Sequence, residues 1–253
     1  MKIKQLAYLI AVSSALATPL TSQADTLSIS AGAGIWNTSP SGDFQKKSDP
    51  TGVNVDKNLF WSSETQGYLF ATFEHPIPII PNVRMMATKI DQSGSGNTDF
   101  TFDGISYTGN VSNDFSIQTI DLIAYYEILD NVVSLDIGLN VRNLKVDYTI
   151  SGTDAGTGLA VTTTDSMNET IPMLYALVGA SPFPDLIISG ELSYIAYSGS
   201  TISDFTAKVA YTTNFFVGFE GGYRKQQYTF DDVSGTDSDL SFDGVFAGAY
   251  VKF

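Results

Sequence analysis

The chain has 253 residues, with 13 Lys+Arg against 27 Asp+Glu for a net charge of −14. A surface this acidic excludes nucleic acid as a natural partner. The absence of cysteine excludes disulfides and thiolate metal sites, leaving hydrogen bonding and packing to hold the fold. Hydrophobic residues make up 43% and aromatics 12%, with 22 glycines, yet after the first two dozen residues no apolar run is long enough for a membrane helix.

Met1-Lys2-Ile3-Lys4 is a basic start, followed by apolar residues from Leu6 to Leu20 and then Thr21-Ser22-Gln23-Ala24. Ser22 and Ala24 suit cleavage before Asp25, so residues 1–24 read as a secretory signal peptide and 25–253 as one domain. Ser13, Ser14, Thr18 and Pro19 interrupt the apolar core, which argues against a spanning anchor. Without Lys2 and Lys4, 11 cationic side chains face 27 acids, a mature charge of −16.

Along the mature chain the dominant signal is a period of two. Val133, Leu135, Ile137, Leu139 and Val141 alternate with Ser134, Asp136, Gly138, Asn140 and Arg142. The same split recurs at Leu186 to Tyr194 and at Phe215 to Tyr223. Runs of about ten residues exceed the usual soluble strand of roughly five or six and suit a tilted membrane-spanning strand. In chain order the expected strands are 27–38, 63–74, 82–91, 115–128, 132–150, 170–181, 186–198, 205–211, 215–230 and 240–253. Ten is an even count, which puts both ends on one side; eight is the alternative if one hairpin is an excursion. Beyond Val141 the apolar parity slips at Leu144, which predicts either a bulge near Arg142-Asn143 or the exit from the membrane there.

Short, turn-rich links at 74–82, 129–131, 181–185 and 212–214 alternate with long polar stretches at 39–62, 92–113, 151–168 and 231–239, which read as loops. Only 198–204 is short on the loop side. This asymmetry of short periplasmic turns and longer external loops predicts an all-β, antiparallel up-and-down transmembrane β-barrel. Trp36, Trp61, Tyr107, Tyr148, Phe205 and Tyr228 are then expected in an external aromatic girdle, with Phe73, Tyr126, Phe183, Phe215 and Phe253 in a periplasmic one.

The last strand carries Val245, Ala247, Ala249, Val251 and Phe253 on one face, against Gly244, Gly248, Tyr250 and Lys252 on the other. With the signal peptide, the alternation and the loop asymmetry, this ending resembles the small bacterial outer-membrane β-barrel superfamily, in the company of OmpW-like and OmpA-like transmembrane domains. The resemblance covers the whole mature chain. It implies a C-terminal assembly signal of the form polar, any, Gly, any, any, apolar, any, aromatic, carried here by Gly248, Val251 and Phe253, with Phe246 departing from the pattern at the polar position. It further implies outer-membrane lipid, lipopolysaccharide and the barrel-assembly machinery as partners, an outer-membrane location, and a monomer.

Strand facing directs Arg84, Arg142, Lys208, Arg224 and Lys252 inward together with Asp121, Glu127, Asp136, Glu191 and Glu220. Five charges of each sign in a narrow lumen predict ion pairing. A structural network is the first reading of this set, and a narrow pore for small polar solutes is the second. An enzyme is the third: a barrel of ten strands resembles the omptin proteases, and barrel hydrolases share a histidine base. The single histidine, His75, falls in a periplasmic link, so no catalytic residue, metal ligand or cofactor is expected. Asp231, Asp232, Asp237 and Asp239 crowd one external hairpin but lack calcium-loop spacing. The expectation is a non-enzymatic barrel with a structural or surface-interaction role and long acidic external loops.

Overall fold

The computed structural model describes residues 27–130, 132–233 and 235–253. The expected signal peptide lies outside the described residues. Twelve strands form one sheet: β1 (Ser28–Lys46), β2 (Val53–Asn54), β3 (Glu64–Glu74), β4 (Asn82–Asn97), β5 (Phe100–Phe102), β6 (Ile105–Asp130), β7 (Val133–Asp154), β8 (Ala160–Phe183), β9 (Leu186–Tyr197), β10 (Ser200–Thr212), β11 (Val217–Val233) and β12 (Thr236–Lys252). Ten of them run up and down as an antiparallel ring in the order β12-β11-β10-β9-β8-β7-β6-β4-β3-β1, and β12 pairs back onto β1. The closing seam extends from Ser30↔Lys252 to Lys46↔Thr236. At its foot Phe253 and Ile29 exchange backbone hydrogen bonds of 2.8 and 2.9 Å. Closure leaves no long exposed edge; the short β2 and β5 flank β1 and β6.

The strands are far longer than expected at one end. At roughly 3.3 Å per residue and a tilt near 40°, the 26 residues of β6 rise about 65 Å, against an apolar band of about 25 Å. The stretches 92–113 and 151–168, expected as loops, are mostly strand. β4 continues to Asn97, β6 begins at Ile105, and β7 and β8 meet across a short turn at 155–159. Within 231–239, β11 runs to Val233, β12 starts at Thr236, and these two residues pair. Likewise 198–204 contributes only a turn at Ser198-Gly199, both at positive φ, before β10 starts at Ser200.

No bulge occurs at Arg142-Asn143: β6 and β7 stay in register from Leu122↔Val141 through Asp121↔Arg142 to Thr119↔Leu144. What changes is the polarity of the two faces. Ile137, Leu139 and Val141 point outward and are exposed, while Leu144 and Ile150 point inward and are almost wholly buried. Above that point the outward face becomes Asn143, Lys145, Asp147, Thr149 and Ser151. Below it, hydrocarbon outside demands apolar side chains. Above it, water outside demands polar ones and the interior can pack like a soluble core.

Candidate functional site: the charged lumen and its outer cap

In the lower half the inward faces supply polar side chains, and they meet in two tiers. Asp204 on β10 centres the upper tier, accepting from Arg142 Nη2 at 2.5 Å, Arg224 Nε and Nη2 at 3.0 and 2.7 Å, and Gln226 Nε2 at 2.8 Å. Asp121 accepts from Arg142 Nε at 2.7 Å and from Asn140 Nδ2 at 2.7 Å. Arg224 also donates to Thr88 Oγ1 at 3.0 Å, and its guanidinium lies 5.0 Å from the Trp36 ring centre. In the lower tier Glu191 takes Arg84 Nη1 at 2.6 Å and Lys208 Nζ at 2.8 Å. Lys208 also lies 3.6 Å from Glu220, which accepts from the Tyr68 hydroxyl at 2.7 Å. Four cations and four anions balance one another, as buried charges require.

The structure thus brings together Arg84, Asp121, Arg142, Glu191, Lys208, Glu220 and Arg224. Asp136 is also buried, but it forms no ion pair among the described residues. Glu127 is half-buried near the periplasmic end. Lys252 is half-buried at the foot of β12 and enters no ion pair among the described residues. Asp204, the hub, was missed because 198–204 read as a loop. Extending the parity of Phe205, Ala207 and Val209 back by one strand position would have turned Asp204 inward.

Glycines make room for the aromatic side of the lumen. A Cβ at Gly34 would meet the Tyr68 hydroxyl at 2.4 Å, and one at Gly248 would meet the same oxygen at 2.4 Å. Gly248, expected as part of an assembly signal, therefore also has a packing reason to lack a side chain. Phe246, at the expected polar position, is buried and sets its ring edge-on to Tyr68 at 5.9 Å. Val251 and Phe253 face outward and are exposed.

Between the tiers lies a cavity of about 40 Å³, lined by residues including Arg84, Asp121, Asn140, Arg142 and Glu191. Arg84 Nε, Arg142 Nη1 and Asn140 Oδ1 are buried there without a hydrogen-bond partner among the described residues. A space of that size has room for a few waters, which could partner such atoms.

The outer half is capped by apolar packing. Val53, Val55, Leu59 and Trp61, from the connection between β1 and β3, are all at most 4% exposed. Trp61 Nε1 donates to Asn113 Oδ1 at 2.7 Å, and Asn113 Nδ2 returns a bond to the Leu59 carbonyl at 2.9 Å. The Trp61 ring packs on Phe115 at 4.7 Å and stacks on Phe242 at 6.4 Å. Asp49 ties this connection to the β5–β6 turn, accepting from the backbone N–H groups of Asp103 and Gly104 at 2.7 and 2.9 Å. Burial pushes the Tyr107 phenol up, and its hydroxyl bonds Thr163 at 2.6 Å.

Trp36, Trp61, Tyr107 and Tyr228, expected in an external girdle, are instead inside this core, and Tyr148 packs inward against its edge. Their parity placed them opposite the lipid-facing residues, and the apolar interior above the membrane is what claims them. Phe205 does face outward, as do all five expected periplasmic aromatics.

The acidic hairpin is engaged by a lysine. Lys47 Nζ sits 3.1 Å from Asp232 and 3.8 Å from Asp231, and its bond to Asp232 holds the ammonium pKa above its ordinary value. His75 lies at the opposite end, in the β3–β4 turn, where Nδ1 accepts from the Ile77 N–H at 3.2 Å and the ring sits 5.7 Å from Phe73. No carboxylate or hydroxyl is bonded to it among the described residues.

No protein-family model matches the sequence, and no curated protein matches it either. Among solved structures, the outer membrane protease OmpT from Escherichia coli superposes with a TM-score of 0.58 over 93% of this chain and 99% of its own, at 10% identity. The fold is that of an outer-membrane β-barrel. Ail, the attachment invasion locus protein of Yersinia pestis, matches with a TM-score of 0.38 at 12% identity over 90% of this chain and 100% of its own. Neisserial surface protein A matches with 0.34 at 15% identity over 92% and 100%.

Proposed function

We propose that this chain is an integral outer-membrane protein without enzymatic activity, a closed barrel whose outer half stands above the lipid as a surface-interaction module. The supporting observation is the double obstruction of its interior. Two tiers of paired charges fill the lumen at membrane height, and the Trp61 cap fills the mouth above them. A barrel whose charges already neutralise one another offers a passing ion neither a site nor a path. The outer wall is what remains presented, and it is polar: Thr149 with Thr164 and Ser151 with Thr162 form hydrogen-bonded hydroxyl pairs across β7 and β8 at 3.3 and 3.0 Å. Outer-membrane lipid, lipopolysaccharide and the assembly machinery belong to this reading as partners, with the mature chain exported by a cleaved signal and working as a monomer.

The pore alternative predicts discrete conductance steps when the refolded protein is added to a planar bilayer, shifted by neutralising Arg224. The closed-barrel reading predicts silence, and steps would contradict it. Likeness to OmpT concerns fold alone, and no carboxylate or hydroxyl is bonded to the His75 ring among the described residues, so purified protein is expected to leave peptide substrates intact. Peptide cleavage that stops in His75→Ala would contradict the non-enzymatic reading.

A further inference from the structure

The periplasmic turns are conspicuously apolar for loops expected in water. Ile79 is 82% exposed and Phe215 85%, with Phe183 at 68% and Val132 at 67%. Solvated turns are built from polar and flexible residues, and large exposed apolar patches mark contact surfaces.

The outward apolar face differs in height from strand to strand. On β6 it runs Ile120, Leu122, Ala124, Tyr126, Ile128, and on β7 from Val133 to Val141, nine residues in each case. This is close to the roughly 9 to 11 residues a spanning strand needs. On β3 it shortens to Leu69, Ala71 and Phe73, and on β4 to Val83, Met85 and Ala87, with Lys89 next in line. On β10 it runs only from Phe205 to Tyr211, and on β11 from Val217 to Tyr223, with Lys225 next. The two pairs of short-faced strands are the ones joined by the turns Ile77-Pro78-Ile79-Ile80 and Phe215-Phe216.

Both turns lie against the lipid-facing side. The hydroxyl of Tyr126, which faces outward on β6, donates to the Ile79 carbonyl at 3.0 Å, so the β3–β4 turn folds onto the outer wall. Phe216 stacks on the outward-facing Phe253 at 6.1 Å between ring centres. Phe216 also holds a φ of 64°, a conformation that favours glycine or asparagine, so turn geometry does not explain a phenylalanine there. The hairpins β3–β4 and β10–β11 sit nearly opposite each other around the ring. A protein seated on one side would cover one of them, whereas an annulus of lipid covers both.

We infer that the β3–β4 and β10–β11 turns are immersed in the periplasmic leaflet and complete the apolar belt where the strand faces fall short. The barrel then sits asymmetrically, nearly flush with lipid on the periplasmic side and far above it outside. This rests on the outer-membrane reading, and the test separates the two. Ile79→Trp, Phe215→Trp and the belt control Leu139→Trp are refolded separately into phosphatidylcholine vesicles with plain or brominated acyl chains, with folding read by heat-modifiable gel mobility. Emission is measured over that of the parent, whose Trp36 and Trp61 are buried inside the barrel.

Immersion predicts that all three added tryptophans lose most of their emission in brominated lipid and resist iodide from water. If Leu139→Trp is quenched by lipid while both turn variants are not, the inference is overturned and the membrane reading stands. Turn variants shielded from lipid and iodide alike would mean that protein, such as a second copy, covers them, which also overturns it. If the folded Leu139→Trp protein is not quenched by lipid, the membrane reading itself fails. Should one turn variant fail to refold, Ile80→Trp or Phe216→Trp reads the same turn.

Discussion

Strand β7 belongs to two different proteins in physical terms. From Val133 to Val141 its aliphatic side chains point outward and Asp136, Asn140 and Arg142 point in; from Leu144 to Ile150 the aliphatic side chains point in and Lys145, Asp147 and Thr149 point out. The ribbon and its pairing with β6 pass through the change without a bulge. The lower half is stabilised by paired charges facing one another across a narrow lumen, the upper half by an aromatic core that would suit a soluble barrel. Alternation alone therefore says that a strand exists. Which face is greasy says what surrounds it.

The sharpest way to probe this division is to damage each half by its own chemistry. In the lower half, Asp204→Ala leaves Arg142 and Arg224 buried without their shared carboxylate, with an expected loss of about 3 to 5 kcal/mol. Urea unfolding in detergent micelles should show it, and an unchanged midpoint would mean the tier is solvated. In the upper half, Trp61→Ala removes the ring packed against both Phe115 and Phe242, worth about 3 to 5 kcal/mol of core packing. Its effect should stay local: proteases should cut within 47–63 while the barrel keeps its folded gel mobility.

A third comparison places the same substitution on the same outer face in each half. Leu139→Lys puts a cation into hydrocarbon and should destabilise assembly by about 2 to 4 kcal/mol. Thr164→Lys on the exposed wall above should stay within about 0.5 kcal/mol. Equal effects would erase the division.

The smallest effect is at the outer tip. The Gly156 N–H and the Thr157 hydroxyl hold the Asp154 carboxyl below its ordinary value of 3.8. A lowered folded pKa contributes stability above the unfolded value that is lost as pH falls through the folded one. Amide protection of the 155–159 turn should therefore drop below about pH 4 and be insensitive to pH in Asp154→Ala. Protection that persists at low pH in the parent would count against the cap.

Much of the ring was legible because its membrane segments alternate so regularly: Val133 to Arg142 and the last strand to Phe253 carried the facing, the ten strands and the shared side of the two ends. The strand extensions were not legible. Gln92 to Asn113 and Ser151 to Asn168 are rich in Ser, Thr, Gly and Asn, which favour turns, and there the apolar residues had moved to the inward parity. The same inversion hid the true place of Trp36 and Tyr228, which look like girdle residues only if the interior is assumed polar throughout. Seven of the ten charges expected inside do meet in the two tiers, because inward parity is a local property of each membrane strand. Their hub, Asp204, was lost with a strand start set five residues late.

The central claim is that the wall changes environment between Val141 and Lys145, and the lack of native cysteine allows that to be read directly. Single cysteines at 137, 139, 141, 143, 145, 147, 149 and 151, nitroxide-labelled in protein refolded into vesicles, report collision with oxygen from lipid and with a nickel chelate from water. The account predicts oxygen-dominated collision at Ile137, Leu139 and Val141, crossing at Asn143 to nickel-dominated collision at Lys145 and every later position. Oxygen dominance continuing to Ser151, or nickel dominance already at Leu139, would contradict it.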